Sequence, residues 1–195
     1  LFRSFFCDES TTLLVTFDTL RDARARAGQM PLGHDLAQAR GWSHLCLIAD
    51  GPTWFRDPAV YSFFDRLVED AFFEDFDRVV FHGSGMGGYA ACAFSVTAPE
   101  ATVLALSARA TLDPARAGWD RRNMGQRRLD FRSRYGFAPD MVEGTGQVFL
   151  AFDPLVSADA AHAAMFDRPN VTPLRAWHAG ADPSILADAC LGTML

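Results

Sequence analysis

The chain contains no lysine; all 18 of its basic residues are arginine. That absence removes several chemistries at once. A P-loop NTPase needs a lysine on its phosphates, a pyridoxal enzyme needs one for its Schiff base, and a protein kinase needs one on a strand. Cysteine is sparse as well. Cys7, Cys46, Cys92 and Cys190 stand far apart, and none forms a Cys-x-x-Cys pair. Cys46 and Cys92 lie in apolar segments and read as buried thiols rather than zinc ligands or disulfide partners. A reducing cytoplasm is the compartment this usage suggests. No apolar run reaches the roughly 18–20 residues of a membrane span, so no membrane partner is expected. No signal peptide is visible, and the chain starts at Leu1 rather than Met, which leaves room for a preceding segment. A basic excess is missing too: the net charge is −6, which argues against a nucleic-acid partner. No His, Asp or Glu cluster has metal-ligand spacing, and no metal or other cofactor is expected.

What is present is a globular composition. Nearly half of the 195 residues are apolar, and 17 are Phe. That is enough for one domain with a real core, expected over residues 1–195. Short continuous apolar runs recur at Thr12–Phe17, His44–Ala49, Arg78–His82, Thr102–Ser107, Gln147–Phe152 and Val171–Trp177. Runs of this kind suit a parallel sheet covered on both faces. "LFRSFF" at the start reads as an antiparallel edge strand. Helical patterns fill the gaps: residues 57–73, where Pro58 stands near the start, residues 87–98, and residues 157–166, where Ser157 reads as an N-cap. Alternating strands and helices predict a three-layer, doubly wound α/β sandwich. In such sheets function collects at the carboxyl ends of the strands.

The stretch "FHGSGMGGYAACAFS", residues 81–95, joins a strand to a helix through a burst of glycines. Two templates fit it. Gly83, Gly85 and Gly88 match the dinucleotide fingerprint G-x-G-x-x-G. That fingerprint normally sits on a first strand with an acidic residue at the next strand end, and here the next strand end reads "ALSARA". The second template is the nucleophile elbow G-x-S-x-G. Its flanking residues must be small because strand and helix backbones crowd there, and its central residue is held in a strained conformation. Gly83 and Gly87 fit the small positions, which puts Gly85 in the nucleophile's place and Ser84 one residue early. For Ser84 to be the nucleophile, His82 and Met86 would have to fill the small positions.

On this elbow, followed by Tyr89-Ala90-Ala91, and on the "WFR" of "DGPTWFRD", the chain resembles the α/β-hydrolase superfamily. It is most similar to small bacterial esterase- and acyltransferase-like members, over roughly Leu13 to His178. The resemblance implies an α/β-hydrolase-like fold, an acyl-ester substrate, and the chain order nucleophile, acid, histidine. Asp153 follows the strand "QVFLAF" and His178 follows "VTPLRAW", so Ser84, Asp153 and His178 form the candidate catalytic set. The acid would orient the imidazole, which would take the nucleophile's proton. The oxyanion hole would come from the N–H of Met86 and from the loop near Asp18 and Thr19. Asp153 also reads as a turn residue in "Asp-Pro", and His178 as a loop histidine. Many hydrolases carry a second histidine where this chain has Ala181. His162, near Asp159 at helical spacing, reads as decoration of a helix surface; His34, His44 and His82 read as structural.

One segment breaks the rhythm. Residues 112–145 carry Arg116, Arg121, Arg122, Arg127, Arg128, Arg132 and Arg134. This insertion of helices and loop sits where α/β hydrolases commonly carry a cap. Its arginines either recognise an anionic ligand or pair with nearby acids such as Asp120 and Asp130, the second being the simpler expectation. Three functions fit these residues. The first is a serine esterase or acyl hydrolase with an irregular or impaired site, and the second is a non-catalytic relative that binds a ligand or protein partner. The third is a dinucleotide-binding oxidoreductase.

Overall fold

Strands buried on both faces can pair in parallel without facing water, and the apolar runs do so. The computed structural model describes residues 2–180. Its strands are β1 (Phe2–Cys7), β2 (Thr12–Thr19), β3 (Ser43–Ala49), β4 (Arg78–Ser84), β5 (Thr102–Leu106), β6 (Gln147–Phe152) and β7 (Val171–Arg175). They form one seven-stranded sheet in the order β1-β3-β2-β4-β5-β6-β7. β1 runs antiparallel to β3 at the edge, as "LFRSFF" suggests, and the remaining pairs are parallel. Helices α1 (Leu20–Ala25), α2 (His34–Arg40), α3 (Pro58–Glu69), α4 (Met86–Phe94), α5 (Pro114–Ala117), α6 (Ala138–Met141) and α7 (Ser157–Ala163) complete a three-layer sandwich.

The centre of the molecule is α4. Every residue from Gly87 to Phe94 is buried, and the helix carries no charge. It packs on β2, β4 and β5, and α6 covers it. Beside it lies an aromatic stack in which Phe94 faces Phe64 at 4.4 Å and Phe17 at 5.9 Å. Cys46 and Cys92 are buried free thiols in this structure, as their apolar neighbours require; Cys190 lies outside the described residues.

Several boundaries differ from the sequence reading. The helix expected over residues 57–73 stops at Glu69, because Ala71 adopts φ 54° and a 3₁₀ turn follows at Phe72–Asp75. α4 likewise gives way to a 3₁₀ turn at Ser95–Thr97. Ser157 is not an N-cap; it lies inside α7, whose cap is Val156. The 112–145 insertion is mostly loop, holding two four-residue helices and a 3₁₀ turn at Met124–Arg128.

Two polar clusters tie the insertion to the sheet. Arg56, the arginine of "WFR", is 7% exposed. Its guanidinium donates to the carbonyls of Asp130 (2.8 Å) and Arg134 (2.9 Å), to Ser133 Oγ (3.1 Å) and to the Tyr89 hydroxyl (3.2 Å). It also sits over the rings of Tyr61 and Phe131. The second cluster corrects the reading of His162. That residue is fully buried rather than on a helix surface. Its Nε2–H donates to Asp120 at 3.0 Å, and its Nδ1 accepts the Ala110 N–H at 3.2 Å. Arg122 bridges Asp120 and Asp159 alongside. Both ring nitrogens are therefore occupied, and the histidine is a neutral clasp between α7 and the insertion.

His44 is also held neutral. Thr16 Oγ1 gives its proton to the Leu32 carbonyl and accepts from His44 Nε2 at 2.8 Å, while His44 Nδ1 is buried without a partner. Burial, helped by the nearby His34, pushes the His44 pKa from 6.5 to about 4, and burial lowers that of His162 against the pull of Asp120. With folded pKa values below the unfolded one, the unfolded chain binds protons that the native chain does not. Stability is therefore complete above about pH 6.5 and falls as the pH drops toward the folded values. The urea midpoint is expected to fall steadily between pH 7 and pH 4.5, with His44 alone costing on the order of 3 kcal/mol at pH 4. A flat profile over that range would contradict this account.

Candidate active site

β2 and β4 are neighbours in the sheet, but the chain leaves β2 toward β3 before crossing back to β4. Their carboxyl ends thus flank a topological switch point, where α/β sheets form crevices. A cavity of about 780 Å³ opens there. Phe17, Asp18 and Thr19 from β2, Ser84 to Gly87 from the glycine turn, and Trp54 from the loop after β3 line it. Arg26, Arg109 and Asn123 add polar wall.

The glycine turn has a definite register. β4 ends at Ser84, α4 begins at Met86, and Gly85 between them adopts φ 56°, ψ −110°. A side chain on Gly83 would put its Cβ 2.3 Å from the Gly87 carbonyl oxygen, and one on Gly87 would lie 2.5 Å from that of Phe17. These are the two positions that the elbow requires to be small. At Gly85, among the described residues, a Cβ would meet just Arg109 Nη1, at 3.7 Å, and the space is otherwise open. Gly85 is anchored by its N–H on the Leu106 carbonyl at 2.8 Å. Ser84 lines the cavity from the last position of the strand. Among the described residues its hydroxyl has no hydrogen bond to His178.

The remaining predicted residues fall into two groups. Asp18 and Thr19 reach the cavity, but Thr19 N–H donates to Asp18 Oδ1 at 2.8 Å. Asp18 also accepts from Leu32 N–H at 2.9 Å and pairs with Arg26. Thr19 Oγ1 caps α1 by accepting from Asp22 N–H. Met86 brings its backbone to the cavity floor, and its sulfur accepts the Trp54 N–H at 3.1 Å. Trp54 and Phe55 both have positive φ, so "WFR" is a strained turn pinned by Met86 on one side and Arg56 on the other. Asp153 and His178 lie at the β6–β7 edge, and neither lines the cavity. The Asp153 carboxylate accepts from Leu155 N–H (2.9 Å) and from Gly180 N–H (2.8 Å). These bonds, the Leu155 bond foremost, with the His178 backbone and the attraction of its ring, hold Asp153 below the usual carboxylate range. The acid and the histidine loop thus adjoin, with His178 exposed at φ 64°. Ala181 lies outside the described residues.

The insertion's arginines do not converge on the glycine turn. Arg122 pairs with Asp120 and Asp159, Arg134 with Asp65 and Arg132 with Asp113. Arg127 bonds carbonyls of its own segment, and Arg116 stacks on Phe137. The arginine at the turn is Arg109, from the "ALSARA" that ends β5. Its place beyond a strand's carboxyl end is the one signal of it in the sequence. Among the described residues no group of three or more His, Cys, Asp or Glu side chains could hold a metal ion, and no helix is long and apolar enough to cross a membrane.

No protein-family model and no curated protein matches the chain. Solved structures match it in shape. The capsule O-acetyltransferase of Neisseria meningitidis serogroup A gives a TM-score of 0.64 at 13% identity, over 99% of this chain and 90% of that one. A monoacylglycerol lipase of Paleococcus ferrophilus gives 0.56 at 11% identity, over 99% and 96%. An α/β-hydrolase enzyme from a metagenome of sediments of the Mar Chica lagoon, Morocco, gives 0.53 at 11%, over 99% and 91%. The likeness is one of fold: this chain has the α/β-hydrolase fold.

The steric contrast at the turn is directly testable. Gly83→Ala and Gly87→Ala drive a methyl into backbone and are each expected to cost about 3 kcal/mol or more. Gly85→Ala meets no described backbone and carries just the strain of its sparsely populated backbone conformation, about 1–3 kcal/mol. Urea denaturation of the three variants checks the ranking, which fails if Gly85→Ala is the most damaging.

Proposed function

We propose that this protein is an esterase- or acyltransferase-like α/β-hydrolase whose nucleophile position is glycine. Its cavity then binds a small ligand and turns over acyl esters weakly or not at all. The observation that carries this reading is the backbone at Gly85. It has the strained conformation between strand and helix, both crowded neighbours are glycine, and the space where a nucleophile would project is open. A second feature supports it: both candidate partners, Asp153 and His178, stand outside the cavity that holds the turn.

The other reading keeps Ser84 as nucleophile, Asp153 as the orienting acid and His178 as the base, with the Met86 N–H in the oxyanion hole. It is favoured by the place of Ser84 in the cavity wall and by the adjoining of the Asp153 and His178 loops. The crowding argument weighs against it, since His82 and Met86 would then occupy the small positions. The dinucleotide reading loses ground on topology. The glycine turn follows the third parallel strand of the chain, and the next strand end offers Arg109 instead of an acid to hold a ribose.

The test is a serine-directed fluorophosphonate probe with p-nitrophenyl esters as substrates. Wild type and Ser84→Ala are expected to show the same background turnover and no specific labelling. Gly85→Ser, which puts a hydroxyl into the open slot, is expected to label above wild type. Strong labelling of wild type that vanishes in Ser84→Ala would make Ser84 the nucleophile and overturn the proposal.

A further inference from the structure

Arg109 is a half-buried cation in the cavity wall. Its Nη1 donates to the Ser107 carbonyl at 2.7 Å, and its Nε is fully buried with no partner. Among the described residues it forms no ion pair. Asp120 and Asp159 lie near enough to favour its charge, and the single charge of Arg122 between them offsets just one of the two; neither carboxylate reaches Arg109, although Asp159 Oδ2 is buried without a hydrogen bond. Taking a guanidinium out of water without a partner is strongly unfavourable. Burial accordingly pulls its pKa down.

This cation stands at the one place where the elbow is vacant, with its Nη1 3.7 Å from where a Gly85 Cβ would lie. The first turn of α4 is the other wall of the same slot. Its leading N–H groups have no acceptor within the helix, and no side chain caps them. They and the helix dipole add positive potential to that of the guanidinium. The other cations that line the cavity, Arg26 and Arg21, are paired with Asp18 and Asp22. The slot therefore offers an anion one guanidinium with unused donors together with the N–H groups of α4. A dianion would face the carboxylates of Asp18 and Asp22, which line the same cavity. Leu32, Pro52 and Trp54 supply apolar wall beyond.

We propose that the slot at Gly85 binds a small organic carboxylate, its oxygens between the Arg109 guanidinium and the N-terminal N–H groups of α4, its short acyl chain against Leu32, Pro52 and Trp54. The proposal rests on the reading that Gly85 leaves the nucleophile position empty. It makes the ligand resemble the acid product of an ester hydrolysis rather than the ester.

Isothermal titration with butyrate, butyramide and inorganic phosphate tests it, on wild type, Arg109→Gln and Arg109→Lys. Butyrate is expected to bind wild type, more weakly as salt rises, while the isosteric neutral butyramide does not bind. Arg109→Gln is expected to weaken butyrate about tenfold or more, and Arg109→Lys less, since it keeps the charge and loses the planar fork. Butyrate that fails to bind, butyramide that binds equally, or full affinity in Arg109→Gln would overturn the site. Tighter binding of phosphate than of butyrate would overturn the carboxylate assignment. If Arg109→Gln does not fold by circular dichroism, the butyrate–butyramide contrast and its salt dependence in wild type decide. Serine-probe labelling of the same preparations separates the two ideas. Labelled wild type removes the empty nucleophile position, whereas an unlabelled protein that ignores butyrate removes the carboxylate site alone.

Discussion

Two backbones meet at the head of β4 with no room for a side chain between them. Gly83 faces the Gly87 carbonyl and Gly87 faces that of Phe17, each too closely for a Cβ. This contact fixes α4 against the sheet, so the helix lies across β2, β4 and β5 and is buried from Gly87 to Phe94. It also sets the helix N-terminus beside the ends of the strands, where the cavity opens. The aromatic stack, the position of α6 over the helix and the aim of the first-turn N–H groups all follow from that approach.

Arginine carries all the strong positive charge in this chain, and its members divide by what surrounds them. In the insertion, Arg116, Arg122, Arg127, Arg132 and Arg134 are spent on nearby acids, carbonyls and one phenyl ring, while Arg121 and Arg128 are exposed. Arg56 is buried with no ion pair among the described residues, and carbonyls and hydroxyls take four of its five N–H donors, which makes it a structural cation. Arg109 lines the cavity with no ion pair among the described residues and with donors left unused. Local density of charge in the sequence pointed to the insertion; the accounting of partners points to a single residue outside it.

The strands were legible because burial on both faces leaves continuous apolar runs, and all seven fall within two residues of where those runs place them. α1 and α2 were not, since they are short, polar and half exposed, and they lie between strands in a segment with no strong period. The elbow's register was legible from its glycines alone, because sterics at a strand–helix crossing admit few residue types. The role of His162 was hidden, since its partners Asp120 and Ala110 are distant in sequence and meet it through the tertiary fold. Arg109 was visible as a residue at a strand end, but the donors it leaves unused beside the cavity exist only in three dimensions.

Arg56 gives the insertion a character different from that of a hinged cover. Its guanidinium lies among aromatic rings and is solvated almost wholly by the chain at residues 130–134. Lifting that segment would strip the charge of its surrogate solvent before water could reach it. The energetics of opening are those of exposing a core, not of swinging a door. The stretch from Asp130 to Tyr135 is masonry, and ligand traffic must use the mouth that the strand ends already leave open.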